Sequence, residues 1–414
     1  MSIADKLQEL VDSKADMKSA IAEKGVDVEG GLTTYADAIH KIQQWAGDRF
    51  AAIGYNAENT GGFIQLMDAD IEVSKKILDE WNSSSGYIDM NKWKDVAVYF
   101  PAVDPMRPFI SSRFLEWSKL QVVPSLDFTG RTNMNALFYK CKSLKYIGNI
   151  TGTESVTDMS VAFADCSSLT SIPYFDTSSV TSMRDMFSGC TSLTTIPQLI
   201  TSSVIDMEAM FSGCTSLTTI PQLITSSVSN MYRMFQGCSS LTTIPLLDCS
   251  SVSSMSGMFQ NCTSLTTIPQ LDTSSATNLS GMFQNCTSLT TIPQLDTSNV
   301  SSMMDLFEGC ISLTSIPLLD CSSITSTYSP FRNVSLNELT DLGGFKNLKV
   351  SWSGNFLARV PYATVESLMN VINNLYDLTA NGLSGETLRF GTINLKKLTD
   401  EQIAVAIAKG WTLI

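Results

Sequence analysis

Apolar side chains return along the chain at one fixed interval, and polar residues fill the positions between them. Cysteines stand 24 residues apart in seven successive units, at Cys166, Cys190, Cys214, Cys238, Cys262, Cys286 and Cys310. Phenylalanines keep the same interval from Phe163 to Phe331, and Phe138 and Phe114 continue the series upstream after a one-residue insertion near Gly152. A period of 20 to 50 residues marks units that bury their apolar side only against their neighbours. The pattern therefore predicts a solenoid of about ten coils.

One repeat predicts two short elements. An inward stripe at helical spacing, which predicts one or two helical turns, consists of Val180, Met183, Met186, Phe187 and Cys190. The preceding residues, Asp176 to Ser178, are of the types that cap a helix N-terminus. Leu193 and Ile196 precede Pro197, which predicts a short strand ending at the proline. At ~4.8 Å per coil the strands would stack in parallel into a rod on the order of 50 Å long. The predicted fold class is an α/β repeat solenoid.

The repeated phrase MF.GC.SLT.IP.LDTS.V, which extends from Phe114 to Phe331, resembles the BspA-like branch of leucine-rich repeats. This resemblance implies a curved solenoid that serves as an interaction surface. The chain departs from the commoner leucine-rich repeat, because Thr or Ser stands at the turn where that repeat carries an asparagine ladder. The resemblance implies binding without indicating a ligand.

Residues 1–44 predict a helical segment that precedes the repeats. Apolar residues at positions 3, 7, 10, 17 and 21 follow the spacing of an amphipathic helix, which would form either a coiled-coil seam or a helix folded on its own domain. Glycines separate it from a second helix beginning near Thr33 or Thr34. The phrase LQELVDSKADMKSAIAEKGVDVEGGLTTYADAIHKI resembles the N-terminal segment of bacteriophage tail and tail-fibre proteins. That resemblance implies attachment to other virion proteins or oligomerisation.

Two further segments flank the solenoid, which we predict to span residues 114–334. Residues 45–113, richer in aromatic and charged side chains, predict an N-terminal cap. Residues 335–414 resemble the C-terminal cap found on the same repeat proteins; they contain the helix pattern TVESLMNVINNLYDL. Thr399 and Gln402 predict a capping box, and Gly410 predicts the end of that helix. Such caps keep the rods from stacking end to end.

The charge balance bears on the partners. The chain has 27 Lys and Arg against 40 Asp and Glu, a net charge of −13. Between Pro173 and Pro330 only Arg184 and Arg233 are basic, so no basic stripe is available for phosphates, and we predict no nucleic-acid partner. No stretch approaches the roughly 18 apolar residues of a membrane helix, and the first residues lack the pattern of a signal peptide. We expect neither membrane insertion nor a secretory route.

Neither the cysteines nor the single histidine predicts a chemical centre. Eight of the ten cysteines, from Cys141 to Cys310, occupy one repeat position, and Cys249 and Cys321 replace the Thr of DTSS. Zinc ligands usually come as close pairs, which are absent, so buried thiols are predicted, with oxidation between neighbouring coils left open. His40 is the only histidine, and no nucleophile elbow or phosphate loop occurs. We predict no catalytic residue, metal or cofactor.

The outward positions carry the candidate binding residues. Ser and Thr crowd the phrases CTSLTTIP and TSSV, where they would either bond a glycan or form turns and caps. The pairs between the methionines differ from coil to coil: Arg184-Asp185, Glu208-Ala209, Tyr232-Arg233, Ser256-Gly257, Ser280-Gly281 and Met304-Asp305. We expect these pairs to be exposed. The predicted binding surface consists of Arg184, Asp185, Glu208, Tyr232, Arg233 and Asp305.

Together these features predict a non-enzymatic bacteriophage virion protein, a tail fibre or tail-associated receptor-binding protein. It would be made in the host cytoplasm and carried in the virion tail. Its N-terminal helices would bind other tail proteins, with a homo-oligomer left open, and its solenoid would bind a host surface protein or glycan. One alternative is a BspA-like bacterial cell-surface adhesin, which should carry a signal peptide or anchor. Another is a glycan-cleaving tail enzyme, which would need a carboxylate pair in a cleft.

Overall fold

The computed structural model of the protein describes residues 122–326, 339–352 and 360–414, with isolated positions at 54–55, 63–64, 118, 120, 328, 330–331 and 357. The predicted helices of residues 1–44 lie outside the described residues, as does most of the predicted cap of residues 45–113. In that second segment two short strands, β1 (Gly54–Tyr55) and β2 (Phe63–Ile64), pair antiparallel. The division of the chain into four regions stays a prediction.

The middle of the molecule is a stack of coils, each one repeat long. One column of residues forms parallel bridges from each coil to the next, through Asn133, Asp158, Ser182, Asp206, Asn230, Ser254, Asn278 and Ser302. The Met, Phe, Cys, Leu and Ile columns of the repeat are buried and form one continuous core. The predicted repeat solenoid is therefore confirmed, and each coil covers the apolar side of the next.

The phenylalanine column runs through the core as a stack of rings. Between Phe138 and Phe331 the centroids of successive rings are 5.3 to 6.0 Å apart. From Phe163 to Phe307 the successive ring planes are within 10° of parallel. A stacked aromatic pair contributes roughly 0.5–1.5 kcal/mol beyond the burial of its surface. The column thus couples the stability of each coil to that of both neighbours.

The cysteine column lies beside the rings. All ten cysteines fall in the described residues, and all are buried free thiols. The Cys190 thiol donates to the Phe163 carbonyl of the preceding coil at 3.0 Å, and the equivalent bond recurs in every coil from Cys166 to Cys310. Burial raises the pKa of Cys262 and Cys310 to about 12. The prediction of buried thiols is confirmed, and the disulfide alternative is not formed.

The predicted helix inside each coil is wrong. All five residues of the predicted inward stripe lie in the core, but the backbone of Met183–Gly189 forms consecutive turns. The φ angles of Asp185 and Gly189 are 52° and 74°. A right-handed helix cannot include residues in this left-handed region. Asp176 accepts a hydrogen bond from the Ser178 amide at 2.7 Å, so it stabilises a turn instead of a helix N-terminus.

Among the coils that the structure describes, the predicted strand before the proline forms only at the two ends of the stack. The strands there are β3 (Val122–Asp127), β4 (Tyr146–Thr151), β5 (Ser315–Ile316), β6 (Leu319–Asp320), β7 (Asp341–Leu342) and β8 (Phe345–Lys346). β3 pairs in parallel with β4, β5 with β7, and β6 with β8. Gly148 of β4 stands where the inner coils have proline, and Pro317 separates β5 from β6. Proline lacks the amide that a continuous ladder needs, and the pairing of β3 with β4 skips Pro124, which stands at this same repeat position. In the inner coils both members of each neighbouring pair have proline, and no strand forms here.

Side chains join the inner coils where the proline interrupts the backbone. We call Ile196–Thr201 and its equivalents the proline side of the coil. The Gln198 side-chain amide donates to the Gln222 carbonyl at 2.7 Å. The Thr201 hydroxyl donates to the Ile224 carbonyl and accepts from the Ile224 amide, both at 2.8 Å. These side chains supply the coil-to-coil bonds that the backbone of a strand would otherwise make.

The C-terminal region closes the stack with helices. They are α1 (Val365–Asn374), α2 (Gly391–Leu395) and α3 (Asp400–Ala408), and β9 (Glu386–Leu388) pairs in parallel with β10 (Trp411–Leu413). α1 packs against β7, β8 and α3. The predicted capping box of Thr399 and Gln402 is present at the start of α3, and Gly410, at φ 84°, follows its end. Among the described residues, no helix has the length and apolar character that crossing a membrane requires.

Candidate binding surface

The variable pairs lie on a part of the coil where the backbone carries the stacking. We call Met183–Gly189 and its equivalents the turn side. The amides of Asp185, Phe187 and Gly189 donate to carbonyls of the next coil at 2.8, 2.9 and 2.7 Å. Between these residues, the amide of Met186 bonds back to Met183 and closes a turn within the coil. Because backbone groups make these bonds, the outward side chains are not needed for stacking.

The second residue of each variable pair has a left-handed backbone. The φ angles run from 50° to 64° over Asp185, Ala209, Arg233, Gly257, Gly281 and Asp305. For a residue with a side chain this conformation costs roughly 1–2 kcal/mol, whereas glycine adopts it freely. The coils with glycine show that the fold itself requires no side chain at this position. A large polar side chain here, such as that of Arg233, is therefore not explained by the fold.

The first three predicted residues form one charged network. The Arg184 guanidinium is 2.6 Å from the Glu208 carboxylate and 3.6 Å from that of Asp185. The Asn230 side-chain amide donates to the other Glu208 oxygen at 3.0 Å. Burial raises the pKa of Asp185, and the Arg184 charge opposes that rise. Since the Arg184 side chain is 49% exposed, such a pair contributes at most about 1 kcal/mol. The charged groups of this network pair with one another, which leaves few of their hydrogen-bonding atoms free for a ligand.

Of the other three predicted residues, Arg233 and Asp305 line a shallow depression, and Tyr232 lies beside Arg233. The Arg233 guanidinium lies 4.8 Å from the centre of the Tyr232 ring. The depression has a volume of about 150 Å³, and its lining consists of Arg233, Ser256, Gly257, Gln260, Ser280, Gly281, Gln284, Met304 and Asp305. A Cβ on Gly257 would be 3.1 Å from Arg233 Cγ, so the glycine makes room for the arginine stem. Asp305 is buried, with 5% exposure, which corrects the prediction that every variable pair is exposed.

A row of side-chain amides lines this depression. Gln236 donates to Gln260, Gln260 to Gln284, and Gln284 to the carboxylate of Glu308. The Ser256 hydroxyl donates to the Ser280 carbonyl at 2.9 Å. Sequence reasoning missed this row, because its partners are 24 residues apart and meet only when the coils stack. The available signal was the recurrence of Gln and Glu at the same repeat position.

Many of the other Ser and Thr hydroxyls bond to the backbone of a neighbouring coil. Thr191 donates to the Ser167 carbonyl at 3.2 Å, and Ser203 donates to the Ser178 carbonyl at 2.8 Å. Equivalent bonds recur along the stack. Of the two interpretations that the sequence allowed, this arrangement favours turn and coil formation over a dedicated glycan surface. In the part of the chain that the structure describes, no cluster of three or more His, Cys, Asp or Glu residues could hold a metal ion.

Comparison with protein families places the repeat. The model of the family described as "Mycoplasma protein of unknown function, DUF285" matches residues 132–246, 194–290 and 229–342, which together cover just over half of the chain. The chain belongs to the DUF285 family. This match covers the repeat region, and the resemblance of residues 1–44 to phage tail proteins stays a prediction. No curated protein matches this DUF285 chain.

Several solved structures are similar to this DUF285 protein at low identity. The Treponema pallidum leucine-rich-repeat protein TpLRR is 22% identical, with 42% of this chain and 78% of that chain covered and a TM-score of 0.30. The functional domain of Listeria monocytogenes InlJ, described as including a cysteine ladder, is 15% identical, with coverage of 66% and 70% and a TM-score of 0.20. TLR13 in complex with ssRNA13 is 13% identical over 67% of this chain and 49% of that chain, with a TM-score of 0.26.

Proposed function

We propose that this DUF285 protein is a non-enzymatic bacteriophage virion protein that binds a host surface molecule through the turn side of its solenoid. The observation that carries the binding part is the contrast between Arg233 and the glycines of the next two coils. Arg233 holds a left-handed conformation at a cost of about 1–2 kcal/mol, although glycine serves the same position in Gly257 and Gly281. A side chain that is present at a conformational cost supports a role for that side chain.

The chemistry of the depression supports recognition of a polar group. Tyr232 and Arg233 are of the types that most often dominate the energy of binding. Beside them, the side-chain amides of Gln260 and Gln284 and the hydroxyls of Ser256 and Ser280 offer donors and acceptors. The ligand is a host surface protein or glycan that places a polar group between Arg233 and the amide row.

Placement in the phage tail has a separate basis. Residues 1–44, which lie outside the described residues, resemble the N-terminal segment of tail and tail-fibre proteins. In this role they attach the protein to other tail proteins, and the solenoid is displayed. The non-enzymatic assignment rests on the single histidine, His40, and on the lack of a nucleophile or phosphate-binding motif in the sequence.

The binding claim is tested with a variant that copies the protein's own repeat. Tyr232→Ser with Arg233→Gly reproduces the Ser-Gly pair of the next two coils, so the fold should be retained. The fluorescently labelled full chain is applied to a panel of bacterial strains, and the strain that binds it is used for titration. We expect the double variant to bind that strain at least tenfold more weakly. Gln222→Leu, which copies Leu246, is the control and should bind normally; equal binding by the double variant would contradict the assignment.

The virion claim has its own test. Mass spectrometry and immunogold labelling of purified phage particles should detect the chain in tails, and deletion of residues 1–31 should abolish incorporation. Detection on the envelope of uninfected bacteria would instead support the BspA-like adhesin. Release of sugars from purified host polysaccharide by the full chain would support the glycan-cleaving alternative and contradict a non-enzymatic role.

A further inference from the structure

The outward positions of the proline side change character along the solenoid. Two columns face outward there, two residues apart in each coil. The first contains Tyr174, Gln198, Gln222, Leu246, Gln270, Gln294 and Leu318, and the second contains Asp176, Ile200, Ile224, Asp248, Asp272, Asp296 and Asp320. We call these two columns the strip. None of the residues of the strip lines the depression on the turn side.

The earlier coils give the strip an apolar part. Tyr174, Ile224 and Leu246 are 50%, 53% and 60% exposed. In extended chain, positions two apart point the same way, and neighbouring coils lie ~4.8 Å apart, so Ile224 and Leu246 belong to one patch, which half-buried Ile200 extends. Single exposed apolar residues are ordinary, but a contiguous patch with a polar border marks an interaction site.

The later coils give the strip an acidic part that continues the same columns. Asp248 accepts hydrogen bonds from the amide and hydroxyl of Ser250 at 3.0 and 2.6 Å, and Asp272 is held in the same way by Ser274. These bonds lower the pKa of both carboxyls, so both are charged at neutral pH. Among the described residues, the cation that pairs with this column is Lys346, at 3.3 Å from Asp320.

A groove follows the acidic part. Its volume is about 570 Å³, and residues of successive coils line it, including Gln270, Gln294 and Leu318 together with Asp272 and Asp296. The ion pair of Asp320 with Lys346 closes its far end, so within the described residues the unpaired carboxylates of the groove are those of Asp272 and Asp296. Leu271 and Leu295 lie at its floor and are each 1% exposed, whereas half-buried Leu318 offers apolar surface beside the charged rim. A ligand that fits here needs positive charge outside and an aliphatic stem inside, which describes lysine and arginine side chains.

We infer that the strip is a docking site for an extended basic segment of another protein, with apolar residues on Ile224 and Leu246 and lysine or arginine residues along Asp248, Asp272 and Asp296. The distance from Ile200 to Asp296 covers four coil steps, ~19 Å, which about six extended residues would span. The charge of this partner complements the net charge of −13 of the whole chain. This partner is distinct from the host molecule of the turn side.

The repeat supplies substitutions for the test that should leave the fold intact. Ile224→Asp with Leu246→Gln introduces the residues that stand at the equivalent positions of a later coil, Asp272 and Gln270. Asp272→Asn with Asp296→Asn removes two charges without changing side-chain size. Tyr232→Ser with Arg233→Gly, on the turn side, is the matched control. Thermal unfolding of each full-length variant checks that the fold is retained.

The probes are fluorescein-labelled synthetic peptides in low salt: two leucines followed by six lysines, the reversed sequence, eight lysines, and two leucines followed by six glutamates. Fluorescence anisotropy with the wild-type full chain should show tighter binding of a leucine-lysine peptide than of eight lysines, and no binding of the glutamate peptide. The Asp→Asn pair should weaken binding at least tenfold. The Ile224→Asp, Leu246→Gln pair should abolish the preference for leucine while still binding lysines.

The turn-side control should bind every peptide as the wild type does, so a failure of the host-binding proposal would leave this result unchanged. Unweakened binding by the Asp→Asn pair would overturn the acidic half of the inference. Equal affinity of the wild type for the leucine-lysine peptides and for eight lysines would overturn the apolar half. Binding of a neutral chito-oligosaccharide that the Ile224→Asp, Leu246→Gln pair abolishes would identify a glycan site and overturn the inference as a whole.

Discussion

In the inner coils that carry Gln and Thr on the proline side, the two sides are stacked by different parts of the chain. On the turn side, backbone amides such as that of Phe187 donate to the next coil. On the proline side, the side chains of Gln198 and Thr201 make the equivalent bonds, because Pro197 has no amide to donate. Every residue except proline can form a backbone bond, whereas a side-chain bond requires a particular residue.

This difference explains where the repeat varies. Thr recurs at the hydroxyl position in Thr177, Thr201, Thr225, Thr273 and Thr297, and cysteine replaces it only as Cys249 and Cys321. The turn-side pair, by contrast, changes from Arg-Asp through Tyr-Arg to Ser-Gly without altering the coil. A solenoid that separates these tasks can acquire new binding residues on its turn side while its stacking stays the same.

Ionising the buried thiols should have the largest effect on stability, because the cysteine column lies in the core that both sides of the coil share. Burial raises the pKa of Cys262 and Cys310 from an ordinary value of 9.0 to about 12. The stability from these groups is fully present below pH 9 and is lost as the pH rises toward 12, by up to ~1.4 kcal/mol per thiol for each pH unit. Urea unfolding at pH 8 and pH 10 should show a loss of several kcal/mol. Rapid reaction of the native thiols with a thiol reagent at pH 8 would contradict their burial.

Removing one ring from the shared core should destabilise more than one coil. The Phe235 ring lies 5.6 Å from both Phe211 and Phe259, so Phe235→Ala leaves a cavity between three coils. We expect a loss of about 3–5 kcal/mol in urea unfolding. Hydrogen exchange should accelerate in both neighbouring coils as well. Acceleration confined to the coil of Phe235 would contradict the coupling between coils, and Tyr232→Ala, on the turn side, should cost much less.

The proline side can be tested with two threonines at the same repeat position. Thr201→Val removes the bonds to both backbone groups of Ile224 and should cost about 1–3 kcal/mol, because it leaves polar groups unsatisfied. Thr225 is also buried, but among the described residues its hydroxyl has no hydrogen-bond partner. Thr225→Val should therefore be neutral or slightly stabilising. Equal costs for the two substitutions would show that burial, and not the side-chain ladder, sets their contribution.

The smallest effects are expected on the turn side. Arg233→Gly relieves a left-handed residue and should change the free energy of unfolding by no more than about 1 kcal/mol, on the stabilising side. Gly281→Ala introduces the same strain and should destabilise by about 1 kcal/mol, since its added Cβ meets no atom closer than 3.5 Å. Urea titrations of both variants check the signs. Destabilisation by Arg233→Gly would mean that this side chain supports the fold.

The period of the repeat was enough to predict the solenoid, its buried columns and its reduced thiols. The sequence pattern could not distinguish consecutive turns from a helix in each coil, because both place Met183, Met186 and Phe187 on the buried side. The signal against a helix was the recurrence of Gly or Asn at the position of Gly189, where φ is positive. The missing inner strands are consistent with the proline of each coil, such as Pro197. The side chains of Gln198 and Thr201 make the coil-to-coil hydrogen bonds instead, and these contacts can be seen only between stacked coils.

The candidate binding residues were found because they vary, not because their contacts could be predicted. Variation identified Arg184 and Glu208, which form an ion pair with each other, and Arg233 and Asp305, which both line the depression. It could not separate these two groups, since the separation depends on contacts between coils. The amide row from Gln236 to Glu308 was missed for the same reason.

Saturation mutagenesis of the single coil from Thr181 to Val204, with proteolytic stability as the readout, tests the division between the two sides most directly. It covers Arg184 and Asp185 on the turn side, and Gln198 and Thr201 on the proline side. We predict that positions 184 and 185 tolerate nearly every residue except proline, while position 201 tolerates few replacements and position 198 an intermediate number. Equal tolerance at positions 185 and 201 would contradict the claim that backbone bonds stack one side and side-chain bonds the other.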